Sequence, residues 1–182
     1  GVENLGIAGA TSADLIAVQL PRALALMASE SVAAVTVDIG ADDGFAQIDA
    51  CRDGVSPTCL ATARAVLRDF QVNFDTILSR LREAAPTTPI LTMTYYNPLV
   101  GDPVSCPLAG LYPLAQLFLE GGVGIDQGLN DIIRAAAAAH GVLVAETYGL
   151  LDAADIDADC VHPDDSGYAK IAGALRAAWP LR

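Results

Sequence analysis

The stretch Val32-Ala33-Ala34-Val35-Thr36-Val37-Asp38-Ile39-Gly40-Ala41-Asp42-Asp43 decides the fold. Its residues up to Ile39 are β-branched or small and almost continuously apolar. That is the composition of a parallel strand buried on both faces, since a half-exposed strand would alternate with a period of two. Gly40 closes the run and two carboxylates follow it.

The pattern repeats on either side. Residues 2–8 alternate and end in a glycine, which predicts a strand. Residues 11–29 read as a helix with Thr11 or Ser12 as N-cap and a break near Pro21. Residues 42–60 form a polar loop. Across residues 61–84, Leu67, Phe70, Phe74, Ile77, Leu78 and Leu81 recur at steps of three and four, so they share one helix face. A strand at 89–95 precedes a Pro- and Gly-rich stretch at 97–110. Helices are expected at 111–120 and 125–139, the latter with Ile125, Leu129, Ile132 and Ala136 on one side. A last strand at 142–147, an acidic loop at 152–159 and a terminal helix at 165–179 complete the chain. Strands alternating with helices predict a three-layer α/β sandwich around a parallel sheet. Right-handed crossovers then bring the strand C-terminal ends to one edge, where ligands bind in such sheets. No repeat or linker divides residues 1–182, so one domain is expected.

Composition narrows the function. The chain has 182 residues, enough for a real core, and 53% of them are hydrophobic. The net charge of −12 makes nucleic acid and anionic membrane surfaces poor partners, because both require clustered Lys and Arg. No run is long and unbroken enough to predict a transmembrane segment. The chain opens on Gly1 without a signal peptide, which suggests a processed, engineered or cut N-terminus.

Four cysteines, Cys51, Cys59, Cys106 and Cys160, contain no CxxC pair, and there are only two histidines. A zinc site is therefore not expected. The even count, in an acidic chain whose one lysine is Lys170, suits an exported, secreted protein. The expected pairs are Cys51–Cys59 and Cys106–Cys160, with four buried thiols as the competing reading.

The residues able to do chemistry are few. His162 can take a proton near neutral pH. Asp159 lies three positions earlier, so a tight turn can bring its carboxylate to Nδ1, fix the tautomer and leave Nε2 as base. His140, at a helix C-terminus before Gly141, reads as structural. Gly9 ends a strand, where backbone N–H groups can approach a ligand and stabilise an oxyanion. Asp43 stands at the end of the next strand. Ionised, it would repel an oxyanion, so it is either protonated in a dry site or does another job. Asp152, Asp155, Asp157 and Asp159 could suggest calcium, but they lack the glycine and distal glutamate of an EF-hand and read as a solvated loop. No metal is expected.

These residues carry a resemblance. Residues 3–12, ENLGIAGATS, match the second block of the SGNH, or GDSL-type, hydrolase family, with Gly9 at the oxyanion glycine. Residues 35–43, VTVDIGADD, match the third block, GxND, with Gly40 as its glycine and Asp43 read as standing where asparagine is expected. Residues 159–172, DCVHPDDSGYAKIA, match the fifth block, DxxHP. Residues 90–101, ILTMTYYNPLVG, look like the strand and loop before it. The resemblance covers nearly the whole chain. It implies a flavodoxin-like SGNH fold and hydrolysis of carboxylic esters of a small-molecule or lipid alcohol, as in esterases and lipases. Neither metal nor organic cofactor is implied. His162 and Asp159 would be base and acid, and Gly9 an oxyanion donor.

The first block, which carries the nucleophilic serine, is expected to lie upstream of Gly1. Three ways to fill the vacant central strand are expected. A complementing N-terminal fragment could supply it, a homodimer could pair across the gap, or residues 2–8 could slide into it. The last would bring Ser12 to the nucleophile position; its competing reading is a helix N-cap. A catalytically silent binding or structural module is the alternative to an enzyme.

Overall fold

A computed structural model describes residues 1–52, 54–101 and 106–179. Three strands, β1 (Val35–Val37), β2 (Ile90–Met93) and β3 (Leu143–Ala145), form a parallel sheet in the order β1-β2-β3. Thr36 pairs with Leu91, and Thr92 with Val144. The strands are shorter than their apolar runs, but each lies inside the predicted one. β2 is central and buried along its whole length, as a continuously apolar parallel strand requires.

Helices cover both faces. On one, α2 (Leu20–Ser29), α4 (Pro57–Ala84) and α6 (Leu129–His140) pack into a single core with Val37, Ile39 and Ile90. The stripe on α4 is buried as expected; Phe70 and Phe74 are fully enclosed and stack with centroids 5.2 Å apart. Each such side chain contributes roughly 1.5–3 kcal/mol by leaving water. On the other face α7 (Asp165–Ala178) sets Ile171 against Met93 and Ala145.

Arg82 fastens the bottom of the sheet. Its guanidinium donates to the carbonyls of Thr88, His140 and Gly141 at 2.8–3.0 Å, joining the end of α4, the entry to β2 and the end of α6. His140 sits in the last turn of α6, as expected, and its Nε2 lies 2.7 Å from Asp75 on α4.

Several local expectations are corrected. Residues 2–8 form no strand and pair with none among the described residues; Gly6 to Ala8 and the β1 residues Thr36 and Val37 line the same cleft. The polar loop at 42–60 contains α3 (Ala41–Phe45), a 3-10 turn at Ile48–Cys51 and the start of α4, capped by Ser56. The helix expected at 11–29 begins with α1 (Ser12–Asp14) and passes through a π-helical turn, Leu15–Gln19, just before Pro21. Wide turns of this kind let a helix absorb a residue lacking an N–H without breaking. Thr11, not Ser12, is the N-cap and forms a capping box with Asp14. Ile125 precedes α6 and bridges Gly122 instead of joining its stripe. In the loop 97–110, residues 102–105 lie outside the described residues, and Pro107–Leu111 forms a 3-10 turn before α5 (Tyr112–Glu120).

Both expected disulfides, Cys51–Cys59 and Cys106–Cys160, are formed. The first closes the loop at the start of α4; the second ties the loop after β2 to the loop before α7. None of the described helices is long and apolar enough to cross a membrane.

Candidate active site

The loop from residue 152 to 165 is built from within. Asp155 anchors it: nearly fully buried, it accepts from the backbone N–H of Asp152 at 2.9 Å, the Ser166 hydroxyl at 2.8 Å and the Lys170 ammonium at 2.5 Å. Those donors hold its carboxyl well below the usual range, at about 2. The expectation of a uniformly solvated acidic run is corrected here. Asp155 is buried because α7 supplies Ser166 and Lys170 to neutralise it. Among the described residues, no group of three or more His, Cys, Asp or Glu side chains could hold a metal ion.

From this anchor the chain makes a tight turn. The N–H of Asp157 donates to the His162 carbonyl at 2.8 Å, and Ile156 bridges Pro163. Cys160 takes φ 66°, in the left-handed region a non-glycine rarely adopts. Its N–H donates to the Asp157 carbonyl, and its disulfide holds it to Cys106.

Asp159 then grips the turn and the imidazole together. Its Oδ1 accepts the N–H groups of Val161 and His162, both at 2.9 Å, and its Oδ2 lies 2.6 Å from His162 Nδ1. The three contacts with His162 and Val161 hold the Asp159 carboxyl at about 2. An ionised Asp159 places the imidazole proton on Nδ1 and leaves the Nε2 lone pair free. The His162 ring is about two-thirds exposed and lines the same cleft as Gly9.

That cleft has a volume of about 1070 Å³. Gly9 and Ala10 form part of one wall, Thr36, Val37 and Asp38 another, and His162 stands at the rim with Asp159 and Tyr168. It continues between α4 and α5 past apolar side chains including Val66, Leu114 and Phe118. Gly9 has φ 75°, a conformation that suits glycine, and no atom stands within 4 Å of where its Cβ would be, so its backbone is open to the cleft. Gly40 is fixed more tightly. With φ 132°, a Cβ there would come within 2.7 Å of the Phe70 ring.

The acids of the third block divide. Asp42 lines the cleft; Asp43 is not among its described lining residues. Asp43 instead accepts the backbone N–H of Ser12 at 2.8 Å and the Ser12 hydroxyl at 2.5 Å. Burial pushes its carboxyl upward, against those two bonds. Ser12 is fully buried, and its hydroxyl also accepts from Asn73 at 2.9 Å. Two expectations are therefore corrected. Asp43 is a structural partner of α1 rather than a group facing an oxyanion, and Ser12 donates to Asp43 rather than facing the cleft with His162. A count from Gly40 would have shown the first, because the asparagine of GxND falls two residues on, at Asp42.

Sequence reasoning also missed the groups that place the end of β2. Asn130, fully buried in the apolar stripe of α6, accepts from the backbone N–H of Tyr95 at 2.6 Å and donates to its carbonyl at 3.0 Å. A polar residue on a buried helix face was the available signal. Tyr95 donates its hydroxyl to Asp38, whose carboxyl is pushed upward by desolvation even though the side chain reaches the cleft. The next residue, Tyr96, donates its hydroxyl to the Val161 carbonyl at 3.1 Å.

A carboxylate-held imidazole and an open glycine turn thus share one cleft at the sheet edge. No curated protein matches the chain in sequence. In fold, it is similar to LAE5, described as an alpha/beta hydrolase enzyme from the metagenome of Lake Arreo, Spain, with a TM-score of 0.60 and 20% identity. The match covers 93% of this chain and 68% of that one. The model of the GDSL-like lipase/acylhydrolase family matches residues 1–170, nearly the whole sequence, and the chain belongs to that family.

Proposed function

We propose that this chain forms the base, acid and oxyanion side of a carboxylic ester hydrolase. The contact of His162 Nδ1 with Asp159 Oδ2 at 2.6 Å, on the rim of the cleft shared with Gly9, carries the reading. His162 Nε2 takes the proton of a serine hydroxyl as that oxygen attacks the ester carbonyl. Asp159 stabilises the imidazolium, which then protonates the departing alcohol. The second half repeats the cycle with water and releases the acid. The Gly9 N–H donates to the oxyanion. Asp42, at the asparagine position, contributes no donor while ionised, which weakens that hole. The chemistry calls for neither a metal nor an organic cofactor, and two disulfides suit an exported protein.

The serine comes from an extended segment seated between residues 6–10 and β1. Support comes from the lining itself: Gly6 to Ala10 on one side and Thr36 to Asp38 on the other face the same space. A strand there would pair with β1 and bring its following turn to His162. A complementing fragment would enter between two segments of the same chain, residues 6–10 and β1. The test compares the chain alone with the chain plus a segment bearing a Gly-Asp-Ser turn. Labelling by a fluorophosphonate and hydrolysis of p-nitrophenyl acetate should appear only in the second case, and should be lost in His162→Ala.

One observation favours a silent binding module instead. An acid stands where an amide should face the oxyanion, and that substitution opposes catalysis. Failure of the complemented chain to label would favour that reading.

A further inference from the structure

The contacts made by Asp159 are all local. They join the carboxylate to the N–H groups of Val161 and His162 and to the imidazole within the same turn. They orient the ring relative to its loop but do not set the loop against the end of β2, which the Cys106–Cys160 disulfide reaches only through the loop that follows that strand. Among the described side-chain hydrogen bonds, the one from Tyr96 to the Val161 carbonyl, 65 positions apart, reaches this turn from the end of β2.

We propose that Tyr96 is a positioning residue that sets where His162 stands in the cleft. The proposal rests on the reading of His162 as the base. The peptide joining Val161 to His162 is gripped at both ends. Its carbonyl accepts from Tyr96, and its N–H donates to Asp159. Rotation of that peptide would swing the His162 Cα and its ring, so the grip on the carbonyl limits the swing.

The strand end that carries Tyr96 is itself braced. Asn130 holds both backbone groups of Tyr95, the preceding residue, and Asn130 in turn donates to Glu120 at 2.6 Å. Tyr96 also stays a donor, because burial and the nearby Tyr168, Asp38 and Asp159 push its hydroxyl above the ordinary range. The chain from Asn130 through Tyr95 and Tyr96 to Val161 therefore connects the helix α6 to the imidazole loop. A loop supported in this way holds its site more closely than one resting on local contacts alone.

Tyr96→Phe removes one oxygen and keeps the ring, so the fold is retained. Nitrogen-15 relaxation on the 182-residue chain reads the loop directly, without any need for turnover. The expected result is new exchange broadening at the amides of Val161 and His162, with the Nδ1 proton still bonded to Asp159. In the complemented chain, kcat should fall about ten- to hundredfold with KM held, as for a misplaced catalytic group. Unchanged relaxation at Val161 and His162 would overturn the proposal. If Tyr96→Phe alters the loop but His162→Ala leaves turnover intact, the positioning role stands and the catalytic reading fails. Tyr96→Leu, compared by the same relaxation measurement, separates loss of the hydroxyl from loss of ring packing. Broadening in Leu but not in Phe would also overturn the proposal.

Discussion

Ser12 donates twice to Asp43, through its backbone N–H at 2.8 Å and its hydroxyl at 2.5 Å, so one carboxylate both caps α1 and satisfies a buried hydroxyl. The two residues are 31 positions apart, and the contact joins the start of α1, just after the Gly9 turn, to α3, just after Gly40. It braces the turn that brings Gly9 to the cleft, while Asp43 itself is not among the described lining residues.

Removing that partner should cost stability before it costs chemistry. Asp43→Ala strands the buried Ser12 hydroxyl and its N–H, a loss of about 2–3 kcal/mol. Asp43→Asn keeps an acceptor for the N–H and should cost less. Urea unfolding measures both. Equal loss in the two variants would contradict the account of the pair, and so would complete loss of ester turnover in a folded Ser12→Ala complemented chain.

The acid loop should resist protonation. Asp155 and Asp159 both stand at about 2 in the folded chain, below the ordinary 3.8. A carboxyl lowered on folding adds stability that is present above its unfolded value and lost as pH falls through its folded one. The loop should therefore keep its structure from neutral pH down past 3.8 and loosen near 2. Carbon-13 titration of the two carboxyls checks this. Midpoints near 4 would show that the contacts do not hold in solution.

Charge in the cleft should select substrates. Its described lining includes Asp38, Asp42 and Asp159 and contains no Lys or Arg. Neutral and cationic esters should be preferred over anionic ones of equal size, and added salt should narrow the gap by screening. Relative kcat/KM for a neutral and a carboxylate-bearing p-nitrophenyl ester, at low and high salt, reads the effect. A preference for the anionic ester would contradict the expectation.

The two disulfides should differ in consequence. Cys106–Cys160 ends two residues from His162, whereas Cys51–Cys59 closes a loop at the start of α4. The Cys106→Ser/Cys160→Ser chain should lose amide protection across residues 156–163 with most of the fold intact. The Cys51→Ser/Cys59→Ser chain should leave that segment protected. Hydrogen exchange distinguishes them, and equal protection of residues 156–163 in both variants would oppose the assignment.

Local patterns made much of this molecule readable. The stripe from Leu67 to Leu81, the apolar runs at β1, β2 and β3, and the Asp159–His162 spacing all record short-range geometry, and each is found where expected. What stayed hidden depends on distant partners. Residues 2–8 have strand composition but no described strand to pair with. Asp155 looks solvated until Lys170, fifteen positions later, folds back on it. The same holds for Ser12 with Asp43 and for Tyr96 with Val161. The third-block asparagine position differs: two residues on from Gly40 it falls at Asp42, not at Asp43, and needs no distant partner to be legible.

On the proposed reading, His162, held by Asp159, is the base for a serine seated in the cleft. The most direct measurement is the rate of fluorophosphonate labelling of the complemented chain, with and without His162→Ala. Rapid labelling at the supplied serine is expected, with a loss of at least about a hundredfold on removing the imidazole. Labelling at an equal rate without His162 would contradict it.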